Sequence, residues 1–251
     1  MAHLILDDIG VRFGGLQALT DVSFSVGQGE VVGLIGPNGA GKTTVFNVIT
    51  GVYKAFHGTV SYDGTRVTGL RPYQVLAMGI ARTFQNIRLF QNMTALENCM
   101  VAQHSRSKTG VIGAVLRSPR QRREEEQIAE KSHKALEFMG LGEMADEVAS
   151  NLPYGHQRRL EIARALASEP HTILLDEPAA GLNPAESLEL MDFIGHITDL
   201  GINVLMVEHD MKVVMGICNR IVVLDHGVVI AEGLPGEIQK DPAVIEAYLG
   251  Q

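Results

Sequence analysis

The chain has 251 residues, a formal net charge of −8 and 45% apolar residues. That length allows one large or two small domains with ample core, and the acidic balance argues mildly against a protein that coats nucleic acid. No stretch reaches the ~18 uninterrupted apolar residues of a bilayer span, and MAHLILDDIG at the N-terminus lacks a basic region ahead of an apolar core, so it does not read as an export signal.

Taken in order, LILDDIGVRF, VSFSV and VVGLIG, within residues 4–35, read as short strands. Turn signals at Gly14-Gly15 and Gly27-Gln28-Gly29 divide them. GTVSYDG over 58–64 is a further strand candidate, so an early β-rich layer is expected. Residues 94–168 follow a mostly helical pattern: Ile128, Ser132, Ala135, Leu136 and Met139 recur on one helix face, and Gly140 stops that helix. From 172 strand and helix alternate. TILLD is a strand, PAESLELMDFIGHITDL a helix, and NVLMV and RIVVLD are strands. Asn183 can cap the helix, with Pro184 in its first turn, Glu186 completing a capping box and Gly201 past its end. Such alternation predicts a largely parallel sheet with helices on its faces, into which the helical middle is inserted. Cys99 and Cys218 have no metal-ligand spacing and read as buried or free thiols.

Chemistry concentrates in a few places. GPNGAGKT, Gly36–Thr43, fits G-x-x-x-x-G-K-[ST] and sits between an apolar strand and a helix, the context that motif needs. Its glycines let successive N–H groups point at phosphate oxygens, and the helix N-terminus adds partial positive charge. Lys42 can neutralise β- and γ-phosphates, and Thr43 can hold Mg²⁺. In TILLDEP, Asp176 ends a strand where its carboxylate can reach Mg²⁺, and Glu177 is the candidate for polarising an attacking water. His209 follows the next strand, two strand-ends from the phosphate loop, where it can bond a γ-phosphate and orient water. Gln85, in RTFQN, is placed to hold Mg²⁺ or water when nucleotide is bound.

These motifs, in this order, resemble the ATP-binding cassette (ABC) ATPases over nearly the whole chain. The resemblance implies a RecA-like α/β P-loop core with a β-rich edge subdomain (1–90 and 168–251) and an inserted helical subdomain (91–167). It implies ATP and Mg²⁺ as ligands. Phe13 takes the place of the adenine-stacking aromatic; Gly36, Pro37, Asn38, Gly39, Ala40, Gly41, Lys42, Thr43 and Thr44 bind ATP; Thr43, Gln85 and Asp176 hold the metal; Glu177, His209 and Gln85 are catalytic. Leu152-Pro153-Tyr154-Gly155-His156-Gln157 stands where the family has its signature, so Tyr154, Gly155, His156 and Gln157 would meet ATP on a second cassette, and Ala180–Asn183 is the D-loop.

Within that family the chain is similar to the ATPase subunits of branched-chain amino-acid importers. YGHQRRLEIARAL (Tyr154–Leu166), GLNP (Gly181–Pro184), the short ending PAVIEAYLG and the long spacer after Gln85 carry that likeness. It implies ATP-driven uptake of branched-chain or similar amino acids. Implied partners are a second ABC ATPase (itself or a sister protein), two transmembrane permease subunits and, indirectly, a periplasmic or surface solute-binding protein. No nucleic acid is expected. The implied location is the cytoplasmic face of the inner membrane, with the permeases engaged near Gln85–Phe90. A soluble ABC ATPase of DNA repair or translation is the alternative; such chains usually carry two cassettes or a long coiled-coil insertion, and this one has neither. A GTPase or kinase would leave the DEP and LPYGHQ blocks unexplained, and no NKxD motif is present.

Two features depart from or add to the pattern. Pro153 replaces the signature serine and so lacks its hydroxyl and an N–H, which predicts a weakened signature. His156 stands where Gln is more usual. From Arg106 to Arg123 there are six Lys/Arg and no acids, a segment that reads as a solvated loop or as a contact for lipid headgroups or membrane partners.

Overall fold

The computed structural model of the chain describes residues 2–103 and 119–249. They divide into two compact units, Met1–Gln85 with His171–Gln251, and Asn86–Pro170.

The first unit holds two sheets. One is antiparallel and is built from β1 (Ala2–Phe13), β2 (Leu16–Gly27), β4 (His57–Tyr62) and β5 (Thr65–Arg66), in the order β2-β1-β4-β5. In β2 the residues Leu19, Val22, Phe24 and Val26 are buried, the alternation of a sheet with one face on the core. The other sheet contains β3 (Val31–Ile35), β6 (Ile80–Arg82), β7 (Thr172–Asp176), β8 (Asn203–Val207), β9 (Arg220–Asp225) and β10 (Val228–Gly233). Its order is β10-β9-β3-β8-β7-β6, parallel throughout except for the β9–β10 hairpin. Every residue of β3, β7 and β8 is buried, as continuous apolar runs covered on both faces must be. Phe46 and Ile49 of helix α1 (Lys42–Ile49) pack with Leu4, Leu6 and Ile9 of β1 and with Leu34, Leu174, Leu205 and Val222 of the parallel sheet, so both sheets share one core.

The strands TILLD, NVLMV and RIVVLD form as their sequences predict. The helix after the second phosphate-site motif runs Pro184–Asp199, and Asn183 Oδ1 accepts from the N–H groups of Ala185 (2.9 Å) and Glu186 (3.1 Å). Other expectations need correction. β2 is twelve residues long rather than the VSFSV segment alone. Its hydrophobic alternation is broken by register shifts in the β1–β2 ladder, near which Asp8 and Asp21 take positive φ of 50° and 49°. β8 lies directly beside β3, so His209 follows the adjacent strand, not one two strand-ends away. The crossovers interleave the strands, and chain order does not report that.

The second unit packs the helices Ala95–Gln103, Pro119–Phe138 and Tyr154–Ala167. Ile128, Ser132, Ala135, Leu136 and Met139 are all buried, and Gly140 leaves the helix at φ 68°. Of the basic segment Arg106–Arg123, residues 106–118 lie outside the described residues. Cys99 and Cys218 are free and buried, and burial pushes each thiol up to about 12. No helix among the described residues is long and apolar enough to cross a membrane.

A small polar bridge joins the two sheets of the first unit inside their shared core. Tyr62 of β4 bonds Thr172 of β7 through the two hydroxyls (3.1 Å), Asn203 Nδ2 donates to Thr172 Oγ1 (3.0 Å), and Asn203 Oδ1 accepts from the N–H of Gly29 (2.7 Å). Asn203 is 1% exposed. Asn203→Leu removes one donor and one acceptor and strands the Gly29 N–H, an expected loss of about 1–3 kcal/mol. Urea denaturation of the purified chain measures it; an unchanged midpoint would mean that water reaches these groups.

Candidate functional site

The phosphate loop leaves β3 at Gly36. A side chain there is excluded: φ is +148° and a Cβ would lie 1.9 Å from the Leu224 carbonyl oxygen. Gly41, at φ +107°, would drive a Cβ to 2.7 Å from Leu19 Cδ2 and 3.1 Å from the Ala18 carbonyl. The loop Pro37-Asn38-Gly39-Ala40 closes through Ala40 N–H to Pro37 O (3.2 Å), and Ala40 O accepts from Gly227 N (2.9 Å). Lys42, Thr43 and Thr44 then form the first turn of α1. Lys42 is 7% exposed, and its Nζ donates to the carbonyls of Gly36 (2.6 Å) and Pro37 (2.8 Å). Burial pulls its pKa below the ordinary lysine value, against the opposing pull of the Glu177 and Asp176 charges. The ammonium is thus folded over its own loop and held by neutral carbonyls.

Two residues from distant parts of the sequence, Gln85 and His209, meet at Glu177. Its carboxylate accepts from Gln85 Nε2 at Oε2 (2.9 Å) and is hydrogen-bonded to His209 Nε2 at Oε1 (2.9 Å). The backbone that aims it is unusual: Glu177 has φ 49°, a left-handed conformation, and its N–H donates to Val207 O (2.8 Å) across the β7–β8 ladder. That bond crosses to the strand that delivers His209 two residues later. Asp176, 4% exposed, ends β7 with Oδ2 accepting from Arg82 Nη2 at 2.9 Å. Thr43, Gln85 and Asp176 offer a hydroxyl, an amide oxygen and a carboxylate, an all-oxygen donor set of the kind that suits Mg²⁺.

Phe13 is 45% exposed at the end of β1 and packs edge-on against Tyr53, with centroids 5.0 Å apart at 75°. A single aromatic after a helix carries no sequence pattern, so Tyr53 has no local signal. In the second unit the signature helix begins at Tyr154 with Pro153 at its N-cap, in extended geometry (φ −55°, ψ 153°). Pro153 O accepts from Gln157 N (2.9 Å), Gln157 Nε2 donates to Leu152 O (2.8 Å), and the Tyr154 hydroxyl accepts from Arg158 Nη2 (3.2 Å). Gly155 is buried, whereas His156 is partly exposed.

Glu208 stands between β8 and His209. It is 4% exposed; Oε1 accepts from Ala179 N (2.8 Å) and Oε2 from His209 N (2.7 Å) and Asp210 N (3.2 Å). One carboxylate thereby ties the backbone of His209 to the turn that follows Glu177. A charged residue directly after a buried strand was the available signal.

Comparison with known proteins gives a consistent set of likenesses. The ABC transporter family matches residues 19–180, and the branched-chain amino acid ATP-binding cassette transporter family matches residues 228–251. The chain is 48% identical, over 99% of its length and 98% of the relative's, to the high-affinity branched-chain amino acid transport ATP-binding protein LivG of Salmonella typhimurium. It is 45% identical to the corresponding protein BraF of Pseudomonas aeruginosa, with both chains fully covered. Among solved structures, the ADP conformation of MJ1267, an ATP-binding cassette of an ABC transporter, superposes with a TM-score of 0.88 at 34% identity, covering all of both chains.

The Glu208 carboxylate generates a prediction. An amide at this position has one accepting oxygen in place of two, so Glu208→Gln leaves at least one of three N–H groups facing an NH₂ donor. The expected cost is about 1–3 kcal/mol, read as a lowered urea midpoint. Stability equal to the parent chain would show that these N–H bonds contribute nothing net.

Proposed function

The chain belongs to the ABC transporter family of ATP-binding proteins, and from that premise we propose that it is the ATP-hydrolysing subunit of an importer for branched-chain or related amino acids. The observation that carries the solute class is the full-length identity of 45–48% to LivG and BraF, whose names state branched-chain amino acid transport. The alternative of a DNA-repair or translation ATPase has no support among these relatives. In this reading the partners are a second ATPase subunit, two membrane permeases and, through them, a solute-binding protein, and the chain works at the cytoplasmic face of the membrane.

The geometry suits ATP hydrolysis in steps that use this chain's own residues. The loop N–H groups and the α1 N-terminus receive the phosphates, with Phe13 offering an exposed ring to the adenine. Lys42 exchanges its two neutral carbonyl acceptors for anionic β/γ-phosphate oxygens, which bind the ammonium more strongly. Glu177 accepts the proton of the attacking water, and His209 and Gln85, which already bond that carboxylate, hold it and the water in line. Mg²⁺, when bound through Thr43, Gln85 and Asp176, supplies neutralisation of phosphate charge. Tyr154, Gly155, His156 and Gln157 complete the site of a second cassette. Pro153 brings no hydroxyl there, so the contact rests on backbone N–H groups and the helix end.

Glu177→Gln keeps the shape of the cluster but cannot take a proton. Hydrolysis by the assembled complex should fall roughly 10²–10⁴-fold, ATP should remain bound in a closed dimer, and uptake of labelled leucine into proteoliposomes should stop. Full uptake of leucine by the variant complex would overturn the reading of Glu177; normal ATPase with no leucine uptake by the parent complex would overturn the solute class.

Lys42 gives a pH test. Burial lowers its pKa in the free chain below the ordinary 10.5, whereas bound phosphate favours the ammonium. ATP affinity is therefore full below the lowered pKa and declines as pH rises through it, approaching about tenfold per pH unit beyond it. Affinity for a fluorescent ATP analogue that starts to fall only in the ordinary lysine range would show that burial does not lower the Lys42 pKa, and affinity unchanged through and beyond that range would remove Lys42 from phosphate binding.

A further inference from the structure

Arg82 is the last residue of β6, three positions before Gln85. No motif reading singled it out. Its guanidinium is buried, with 7% of the side chain exposed, and Nη2 donates to Asp176 Oδ2 (2.9 Å). Nη1 donates to Asn47 Oδ1 (2.8 Å) and to Thr50 Oγ1 (3.3 Å). Asn47 lies in the last turn of α1 and Thr50 caps it, so the cation sits at the negative end of the phosphate-loop helix. The flat ion stacks between two rings, 5.3 Å from the centroid of Phe46 on α1 and 5.3 Å from that of Phe84, the neighbour of Gln85. Nε, by contrast, is buried with no hydrogen-bond partner. The segment that carries Arg82 is also stitched to β7: Thr83 N donates to Leu174 O (2.9 Å) and Asp176 N to Thr83 Oγ1 (3.2 Å).

A pair this deeply buried is costly to assemble from charged groups, and a hydrophobic pair of similar volume would often be no less stable. The arrangement is better accounted for by what it does to the carboxylate. Two rings and two oxygen acceptors hold the guanidinium in one place, and one N–H then holds one oxygen of Asp176. The rotation of that carboxylate is thereby set before any metal arrives. Through the same ion the end of α1, the end of β7 and the approach to Gln85 are tied together.

We propose that Arg82 is a positioning residue for magnesium: by anchoring Oδ2 of Asp176 it presents Oδ1 to the ion that accompanies ATP. The inference rests on the reading of Asp176 as a metal-bearing residue. Partners that orient a metal-bearing carboxylate typically change metal affinity or activity roughly 10–100-fold when altered. Lysine keeps the charge but replaces a rigid fork with a flexible point donor, so Arg82→Lys should weaken Mg²⁺ while sparing the nucleotide itself.

The test measures affinity for a fluorescent ATP analogue in EDTA and across a Mg²⁺ titration, for the parent chain, Arg82→Lys and Asp176→Asn, with thermal unfolding of each. In EDTA, Arg82→Lys should bind the analogue as the parent does, while its half-saturating Mg²⁺ concentration should rise roughly tenfold or more. Asn47→Leu, which loosens the guanidinium without touching the ion pair, should shift Mg²⁺ in the same direction by less, and it serves if Arg82→Lys does not fold. A lowered unfolding temperature with an unchanged Mg²⁺ requirement in both variants would make Arg82 a structural residue and overturn the inference. An unchanged Mg²⁺ requirement in Asp176→Asn would instead remove the reading of Asp176, and the inference with it.

Discussion

The register of neighbouring parallel strands, whose C-terminal ends all face one edge of the sheet, is the constraint on which the candidate nucleotide site depends. Leu34 of β3 stands opposite Val207 of β8, and Val207 stands opposite Asp176 of β7. β6 pairs in turn with β7 and ends at Arg82. The residues just past these ends, Gly36, Glu208 with His209, Glu177 and, three positions on, Gln85, are therefore delivered side by side. Parallel pairing requires a crossover between neighbours, so the four contributions come from four separate stretches of sequence. A one-residue slip of any strand would turn its terminal side chains to the other face of the sheet.

Charge at this site is managed by giving each ion its own hydrogen-bonding partners. Lys42 rests on two carbonyls, Asp176 on Arg82, Glu177 on Gln85 and His209, and Glu208 on three backbone N–H groups. Removing one member of such a pair leaves an uncompensated group in a low-dielectric setting, which costs more than the pair contributes. The partners differ in kind. The Lys42 ammonium rests on neutral carbonyls of its own loop, whereas the Arg82 guanidinium is ring-stacked and bonded to a carboxylate, an amide oxygen and a hydroxyl. That difference separates a group held only by neutral acceptors from one fixed in a frame of several elements. Glu177 lies between the two: its carboxylate meets a neutral amide and an imidazole, and its left-handed backbone is held by the Val207 carbonyl.

The signature segment belongs to the other unit and obeys simpler rules. A proline at a helix N-cap has no side-chain acceptor, so the cap is made by backbone geometry alone, and the Gln157 side chain reaches back to the Leu152 carbonyl. A helix opened this way keeps its N-terminal partial charge while losing the hydroxyl that serine would contribute.

The sequence by itself determined the phosphate loop, the two acidic residues at the end of TILLD, the capping box at Asn183 and the buried face of the long helix in the second unit. Each is a local pattern: a loop between strand and helix, an apolar run with a charged end, a cap three residues from its partner, a 3.6-residue period. It also placed Gln85 and His209 as candidates, by their positions after apolar runs. Tertiary structure alone decided that β8 lies beside β3, that Gln85 and His209 grip the same carboxylate, and that Arg82, Tyr53 and Glu208 take part at all. Arg82 and Tyr53 have no local signature, because their partners Asp176 and Phe13 stand 94 and 40 positions away, and the charged end of a buried strand at Glu208 does not reveal the Ala179 N–H 29 positions away that it binds. A single arginine after two apolar residues looks the same in sequence whether it faces water or a buried aspartate. Only the crossover topology, which brings β6 against β7 and α1 over both, distinguishes the two.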